Sequence, residues 1–200
     1  MTMEKIENKI ANIYRNLNDP NYTSDIRIMK SKKGEFFVSL TTPEGSDKFE
    51  TRILDRKGEE CGRAEFELCV DGSVSIEVAS IYPEKRGNGI GSVLIGSALE
   101  FIRGMKANIV TLLADAKLLG NEITQREGKQ ASEYDIRAEL EKMIKIYKNF
   151  GFEFFNHDGD EFSREGRMDI SKLEDRRFLL RTAVGKDADG KMYDVFSANV

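Results

Sequence analysis

No block of lysine and arginine stands out along the 200 residues, and the formal net charge is −4 with a pI near 5.3. A protein that holds a nucleic-acid backbone needs a basic face, so that class of partner is not expected. No apolar run approaches the roughly 20 residues of a membrane-spanning helix. The opening stretch MTMEKIENKIANIYRNL sets acids among its apolar residues and lacks the uninterrupted apolar core of an export signal. Cysteine is scarce: Cys61 and Cys69 are the two, at a spacing that matches no zinc motif, and no metal site is expected. Few thiols and no export signal together predict a reducing, cytoplasmic setting with both cysteines free. Histidine is scarcer still. His157 falls in a polar, loop-like stretch and reads as a solvated side chain before a base. No internal repeat or low-complexity tract is present.

What is there suffices for a real core. Ile6, Ile10, Ile13 and Leu17 recur at helical spacing, so residues 3–18 read as an amphipathic helix that ends before Pro20. Strands are expected at Ile26–Met29, Phe36–Thr42 and Phe49–Asp55. AEFELCV (64–70) and SVSIEVASIY (73–82) alternate around Asp71-Gly72, the pattern of a hairpin. A two-residue turn would pair Phe66 with Glu77 and bring a carboxylate to the apolar face. A three-residue loop, Val70 to Gly72 with Gly72 left-handed, keeps the faces matched. It pairs Leu68 with Val74 and Glu65 with Glu77. Glu65, Glu67 and Glu77 then share one side of the sheet. For the first two, a face turned to water explains them.

Downstream, Val93, Leu94, Ala98, Leu99, Phe101 and Ile102 predict a helix closed near Gly104. ANIVTLLA (107–114) reads as a strand buried on both faces. Ser132 with Asp135 reads as a helix cap. The stripe Ile136, Leu140, Met143, Ile144 and Tyr147 follows, and Gly151 stands where a left-handed C-cap belongs. FEFF (152–155) is another strand, the next twenty residues read as loop, and RRFLLRTAV with KMYDVFSAN suggests a final hairpin.

The feature that carries chemistry lies between. Gly87, Gly89 and Gly91 alternate at the junction of a strand end and a helix start. Bare backbone lets N–H groups converge on a phosphate, and the helix adds its unpaired amides and the positive end of its dipole. A flexible turn is the plainer explanation, but three glycines directly before a strong helix disfavour it. The P-loop lysine is absent, and the spacing misses the dinucleotide fingerprint.

Arg86-Gly87-Asn88-Gly89-Ile90-Gly91 fits R/Q-x-x-G-x-G/A. It resembles the acetyl-CoA diphosphate motif of the GNAT-type N-acetyltransferases. Tyr147-Lys148-Asn149-Phe150-Gly151-Phe152 resembles that family's Y-x-x-x-G-F. The resemblance covers residues 60–155 well and the N-terminal part by pattern. It implies an α/β (α+β) fold: a mixed, mostly antiparallel central sheet with a splayed strand pair, flanking helices and, here, an extra C-terminal hairpin. It implies one acetyltransferase domain over 1–200, core motifs in 60–155 and a C-terminal extension from about 156.

The implied activity is direct transfer of an acetyl group from acetyl-CoA, the co-substrate, to an amine in a ternary complex. Ile81 would pair with the pantetheine. Arg86, Gly87, Asn88, Gly89, Ile90, Gly91 and Ser92 would wrap the diphosphate. Glu77, six residues before Pro83, would take the ammonium proton, through burial or relay waters. Tyr147 would give a proton to the departing thiolate; filling the core is its other reading. Many relatives carry Asn where this chain has Leu140. The long 115–131 segment could cover the acceptor or form a contact in a homodimer. A catalytically silent acyl-CoA-binding or protein-interaction module on the same fold is the competing reading, and the acceptor amine stays open.

Overall fold

Alternation of apolar and polar residues makes this chain mostly strand. The computed structural model describes residues 22–31, 34–43, 48–55, 57–87, 89–104, 107–115, 128, 130–157, 159–173, 177–186 and 192–198. The helix expected over 3–18 lies outside them, as does most of the 115–131 segment. Five strands come first: β1 (Tyr22–Ser31), β2 (Gly34–Pro43), β3 (Lys48–Leu54), β4 (Glu60–Leu68) and β5 (Val74–Ile81). Helix α1 (Ile90–Gly104), β6 (Ile109–Asp115) and α2 (Glu133–Phe150) follow. Then come β7 (Glu153–His157), β8 (Asp160–Asp169), β9 (Leu179–Lys186) and β10 (Met192–Ala198).

Among the described residues the strands form one sheet in the order β7-β8-β6-β5-β4-β3-β2-β1-β10-β9. Only β5–β6 and β1–β10 are parallel, so the sheet is mixed and mostly antiparallel, as expected. The C-terminal hairpin is real, and β10 adds to β1 as a strand of the same sheet.

Both helices cover one face. α1 lies over β3, β4 and β5; α2 lies over β6 and β8. Ile95, Ala98, Leu99 and Ile102 of α1 meet Leu140, Ile144, Tyr147 and Phe150 of α2 above Phe66, Val74, Ile76, Val110 and Leu112. A second cluster sits under the first turns of α1, where Ile90, Val93 and Leu94 pack on Ile53, Cys61, Ala64 and Leu179. That cluster fixes where α1 begins. Burial pushes the Cys61 thiol up from its ordinary pKa, leaving it a neutral core group.

Helix α2 has its expected ends. The Ser132 hydroxyl accepts the Asp135 N–H and the Asp135 carboxylate accepts the Ser132 N–H. Gly151 closes the helix in the left-handed region.

Three expectations need correction. The loop reading of the stretch after Phe155 fails: 160–169 is strand β8, paired with both β6 and β7. His157 therefore ends a strand, opposite Asp160, and is not a loop residue. Third, β6 is buried on one face only. Val110, Leu112 and Ala114 point into the core, while Leu113 is half exposed, because both helices lie on the same side of the sheet.

Candidate active site

The β4–β5 hairpin turns through three residues. Cys69 N–H donates to the Ser73 carbonyl at 2.8 Å, Gly72 N–H to the Cys69 carbonyl at 2.9 Å, and Gly72 has φ 79°. Asp71 Oδ1 accepts the Ser73 hydroxyl at 2.6 Å and its N–H at 2.9 Å, bonds that hold the Asp71 carboxyl below the usual range. Leu68 faces Val74, as the matched faces predict. The pairing then slips. Phe66 faces Ile76, but Glu65 faces Val78 instead of the expected Glu77. Glu77 is the extra residue of a β-bulge. Such a bulge locally bends and further twists its strand.

The bend sits where β5 leaves β6. The two strands pair only from Val74–Val110 to Ile76–Leu112, and beyond that β5 runs on to Ile81 and β6 to Asp115 unpaired with each other. This is the splayed pair. Its β5 edge is lined by main chain. Tyr82 N–H donates to the Cys61 carbonyl at 3.0 Å, so Gly62–Ile81 and Ala64–Ala79 are the non-hydrogen-bonded pairs of the antiparallel ladder. Ala79 and Ile81 thus turn their N–H and C=O groups away from β4, into the gap.

The gap ends at the glycines. A 3-10 turn, Pro83–Lys85, leads into Gly87 and Gly89, whose φ values of 77° and 75° are costly for any residue with a Cβ. Val93 N–H closes the first turn of α1 on the Gly89 carbonyl at 3.2 Å, so the amides of Ile90, Gly91 and Ser92 have no partner within the helix. No acid occupies that turn to compete with an anion. A Cβ on Gly87 would meet nothing within 4 Å, and one on Gly91 only the Ile81 side chain at 3.9 Å. The protein leaves this space open, and a diphosphate suits it. Asn88 lies outside the described residues.

Two side chains brace the end of β5. Arg86 Nε donates to the Ile81 carbonyl at 2.9 Å, bracing the end of β5 and taking one acceptor position of Ile81. Tyr82 donates its hydroxyl to Glu60 Oε1 at 2.7 Å, and Glu60 Oε2 accepts Arg52 Nη1 at 3.1 Å. Arg52 also grips Glu50 with two bonds, at 2.8 and 3.0 Å. The Glu60 bond, then partial burial, raises the Tyr82 pKa. Little in the sequence points to this network. Its one trace in the sequence is the alternate placing of Glu50 and Arg52 on the polar face of β3.

Of the expected proton carriers, Glu77 is exposed at the bulge, beside the start of the gap. Glu65 and Glu67 form surface ion pairs with Arg63 at 3.1 Å and Lys48 at 3.6 Å. Tyr147 lies in the core, its ring edge-on to Phe152 at 5.6 Å and tilted on Phe154 at 6.3 Å. Burial pushes its pKa up to about 12. Leu140 is buried in the same cluster. The site therefore gathers Ile81, Arg86, Gly87 and Gly89 to Ser92 at one end of the gap. Tyr147 sits in the core on the buried face of α2, and Glu77 at the surface.

No family model and no curated protein matches the chain. Solved structures do. A dodecameric spermidine N-acetyltransferase from Vibrio cholerae superposes with a TM-score of 0.50 at 18% identity, over 66% of this chain and 71% of that one. This is the fold of the GNAT-type N-acetyltransferases. A GNAT-family acetyltransferase from Staphylococcus aureus matches at TM-score 0.46 and 10% identity, over 64% and 71% of the two chains. The PaiA N-acetyltransferase of Thermoplasma acidophilum, solved with coenzyme A, matches at 0.42 and 16%, over 61% and 62%. In this chain the end of β5 and the first turn of α1 are neighbours, a Cβ on Gly91 lying 3.9 Å from the Ile81 side chain. No helix among the described residues is long and apolar enough to cross a membrane.

Proposed function

We propose that the chain is an N-acetyltransferase that carries an acetyl group from acetyl-CoA to an amine. The observation that supports this most is the gap itself: a strand edge whose main chain faces it at Ala79 and Ile81, the Ile81 carbonyl shared with Arg86, ending on a loop and a helix start whose first amides have no partner within the helix. A pantetheine arm carries amides that can pair with such an edge, and the diphosphate seats on Gly87 and Gly89 to Ser92.

The neutral amine attacks the thioester carbonyl carbon. The C–N bond forms, the C–S bond breaks, the nitrogen loses a proton and the thiolate gains one. Glu77 is the proposed acceptor of the amine proton. Its exposure means that it works through water as a relay. Tyr147 is the proposed partner of the departing sulfur. Its phenol stays protonated at neutral pH, since burial raises its pKa to about 12. Full transfer to the thiolate of an ordinary thiol, which titrates near 8.5, would run about 5 kcal/mol uphill. Tyr147 therefore donates a hydrogen bond to the thiolate, and solvent completes the protonation.

A second reading has its own support. Leu140 stands where many relatives carry Asn, and Tyr147 lies in the core against aromatic rings, which suits an acyl-CoA-binding module without turnover. Release of free thiol from acetyl-CoA, measured against spermidine, lysine peptides and small alkylamines, separates the two. The enzyme reading expects thiol release with at least one amine, and a fall of about 10²–10⁴-fold in Glu77→Gln if Glu77 is the base. Binding without release on any amine favours the silent module. An unchanged rate and pH profile in Glu77→Gln would remove Glu77 from the mechanism.

A further inference from the structure

We propose that Lys85 is a positioning residue: it struts the diphosphate loop against the β3–β4 turn and is not itself a ligand of the diphosphate. The inference rests on the reading of that loop as the CoA site. A lysine two residues before Gly87 would ordinarily be taken for a phosphate ligand. Here Nζ donates to Asp55 Oδ2 at 3.1 Å and Glu59 Oε2 at 3.2 Å instead.

The receiving turn is built for the task. Asp55 Oδ1 accepts the N–H groups of Lys57 at 2.8 Å and Glu59 at 3.0 Å. Asp55 N–H donates to the Glu59 carbonyl at 2.9 Å, and Gly58 N–H to the Asp55 carbonyl at 2.9 Å. One carboxylate oxygen thus closes the turn while the other holds Lys85. Burial alone would raise the Asp55 pKa, but the Glu59 and Lys57 amides and Lys85 outweigh it and keep the group charged. On the other side, Lys85 N–H donates to the Tyr82 carbonyl at 2.9 Å. The Lys85 side chain is a quarter exposed and that of Asp55 a fifth, so solvent screens this pair only in part.

Lys85 does not act alone on this segment. Tyr82 reaches Glu60 across the sheet and Arg86 reaches the Ile81 carbonyl. The chain from Tyr82 to Arg86 is held by side chains, and the bare glycines begin just after it. A loop set in place before the ligand arrives does not charge its ordering entropy against binding. If the loop is correctly placed only a fraction of the time, the apparent Kd rises by the inverse of that fraction.

Asp55 decides between strut and ligand. If Lys85 were a diphosphate ligand held in reserve, Asp55→Asn would release it, and CoA would bind as well or better. If Lys85 is a strut, Asp55→Asn weakens CoA just as Lys85→Met does, while the asparagine oxygen still closes the turn. Calorimetric titration of CoA into wild type, Lys85→Met, Lys85→Arg, Asp55→Asn and the Lys85→Met/Asp55→Asn double variant tests this, with melting temperatures alongside. The strut predicts a Kd raised about 3- to 10-fold in Lys85→Met and somewhat less in Asp55→Asn, where Glu59 still holds the ammonium. It predicts a double variant no weaker than Lys85→Met, near-wild-type binding in Lys85→Arg, and little change in melting temperature. Asp55→Asn binding at wild-type strength or tighter overturns the strut, as does a double variant whose losses multiply. Wild type taking up no CoA overturns the reading of the loop, and the strut with it.

Discussion

Gly87 and Gly89 before α1 and Gly151 after α2 share a left-handed backbone, with φ of 77°, 75° and 104°, and their surroundings differ in almost every respect. Around Gly87 the chain leaves open space, no acid enters the first turn of α1, and the first amides of that helix have no partner within it. Around Gly151 everything is closed. Its own N–H donates to the Lys148 carbonyl at 3.0 Å, Phe152 N–H to the Tyr147 carbonyl at 3.3 Å, and Phe150 beside it is fully buried against Phe178. Gly96 shows the same closure inside α1, where a Cβ would meet the Phe178 carbonyl at 3.2 Å and the Phe150 ring at 3.4 Å. One glycine pattern terminates and packs a helix. The other leaves open space before a helix start.

The comparison breaks most visibly in the packed half. Phe150→Ala removes a fully buried ring at the junction of both helices, and a loss of about 3–5 kcal/mol is expected in chemical denaturation. CoA affinity of the molecules still folded should stay within about twofold, because the second cluster under Ile90, Val93 and Leu94 holds the start of α1 independently. If affinity falls in step with stability, the two regions are one unit and the contrast fails.

Tyr147 sharpens it from the other side. Burial raises its pKa to about 12, above its ordinary value of 10.0. The folded state holds that proton more tightly, so the contribution is fully present below about pH 10 and is lost as pH climbs toward 12. Tyr147→Phe should remove about 2–3 kcal/mol of alkaline stability loss from the denaturation profile across that window. An identical alkaline profile in wild type and Tyr147→Phe would show that the phenol ionises as freely when folded, and that it is not buried as described.

Local signals made both helices and their caps legible in the sequence. The capping pair Ser132–Asp135 and the C-cap at Gly151 each act within a few residues. The three-residue hairpin loop was legible too, because only one register matched the faces of Phe66, Leu68 and Val74. What stayed hidden depends on distant partners. β8 carries charge on both sides of Gly166, and it is a strand because β6 and β7 pair with its two edges. Gly166 itself answers to the Phe154 ring and Leu112, which a Cβ would crowd at 2.9 and 3.1 Å. The Glu77 bulge arises from a register slip between strands and leaves no mark in the local alternation. In the loop, the alternating glycines suggest the proposed anion site, but Lys85 and Arg86 carry the same charge whether they bind phosphate or brace the chain. Only their partners, Asp55, Glu59 and the Ile81 carbonyl, tell these apart.

Gly91 offers the most direct test of the central claim. Its nearest neighbour to an added Cβ is 3.9 Å away, so the fold has room for a side chain there, and an aspartate in the first turn of a helix suits the helix dipole. The same carboxylate would oppose a diphosphate at the proposed seat. Titration of CoA into wild type and Gly91→Asp, with thermal melting of both, should show one CoA bound per wild-type chain. The variant should melt at about the same temperature and bind CoA at least about tenfold more weakly, charge-assisted hydrogen bonds contributing about 1.5–3 kcal/mol each. A wild type that takes up no CoA, or a Gly91→Asp that binds as tightly, would contradict the account.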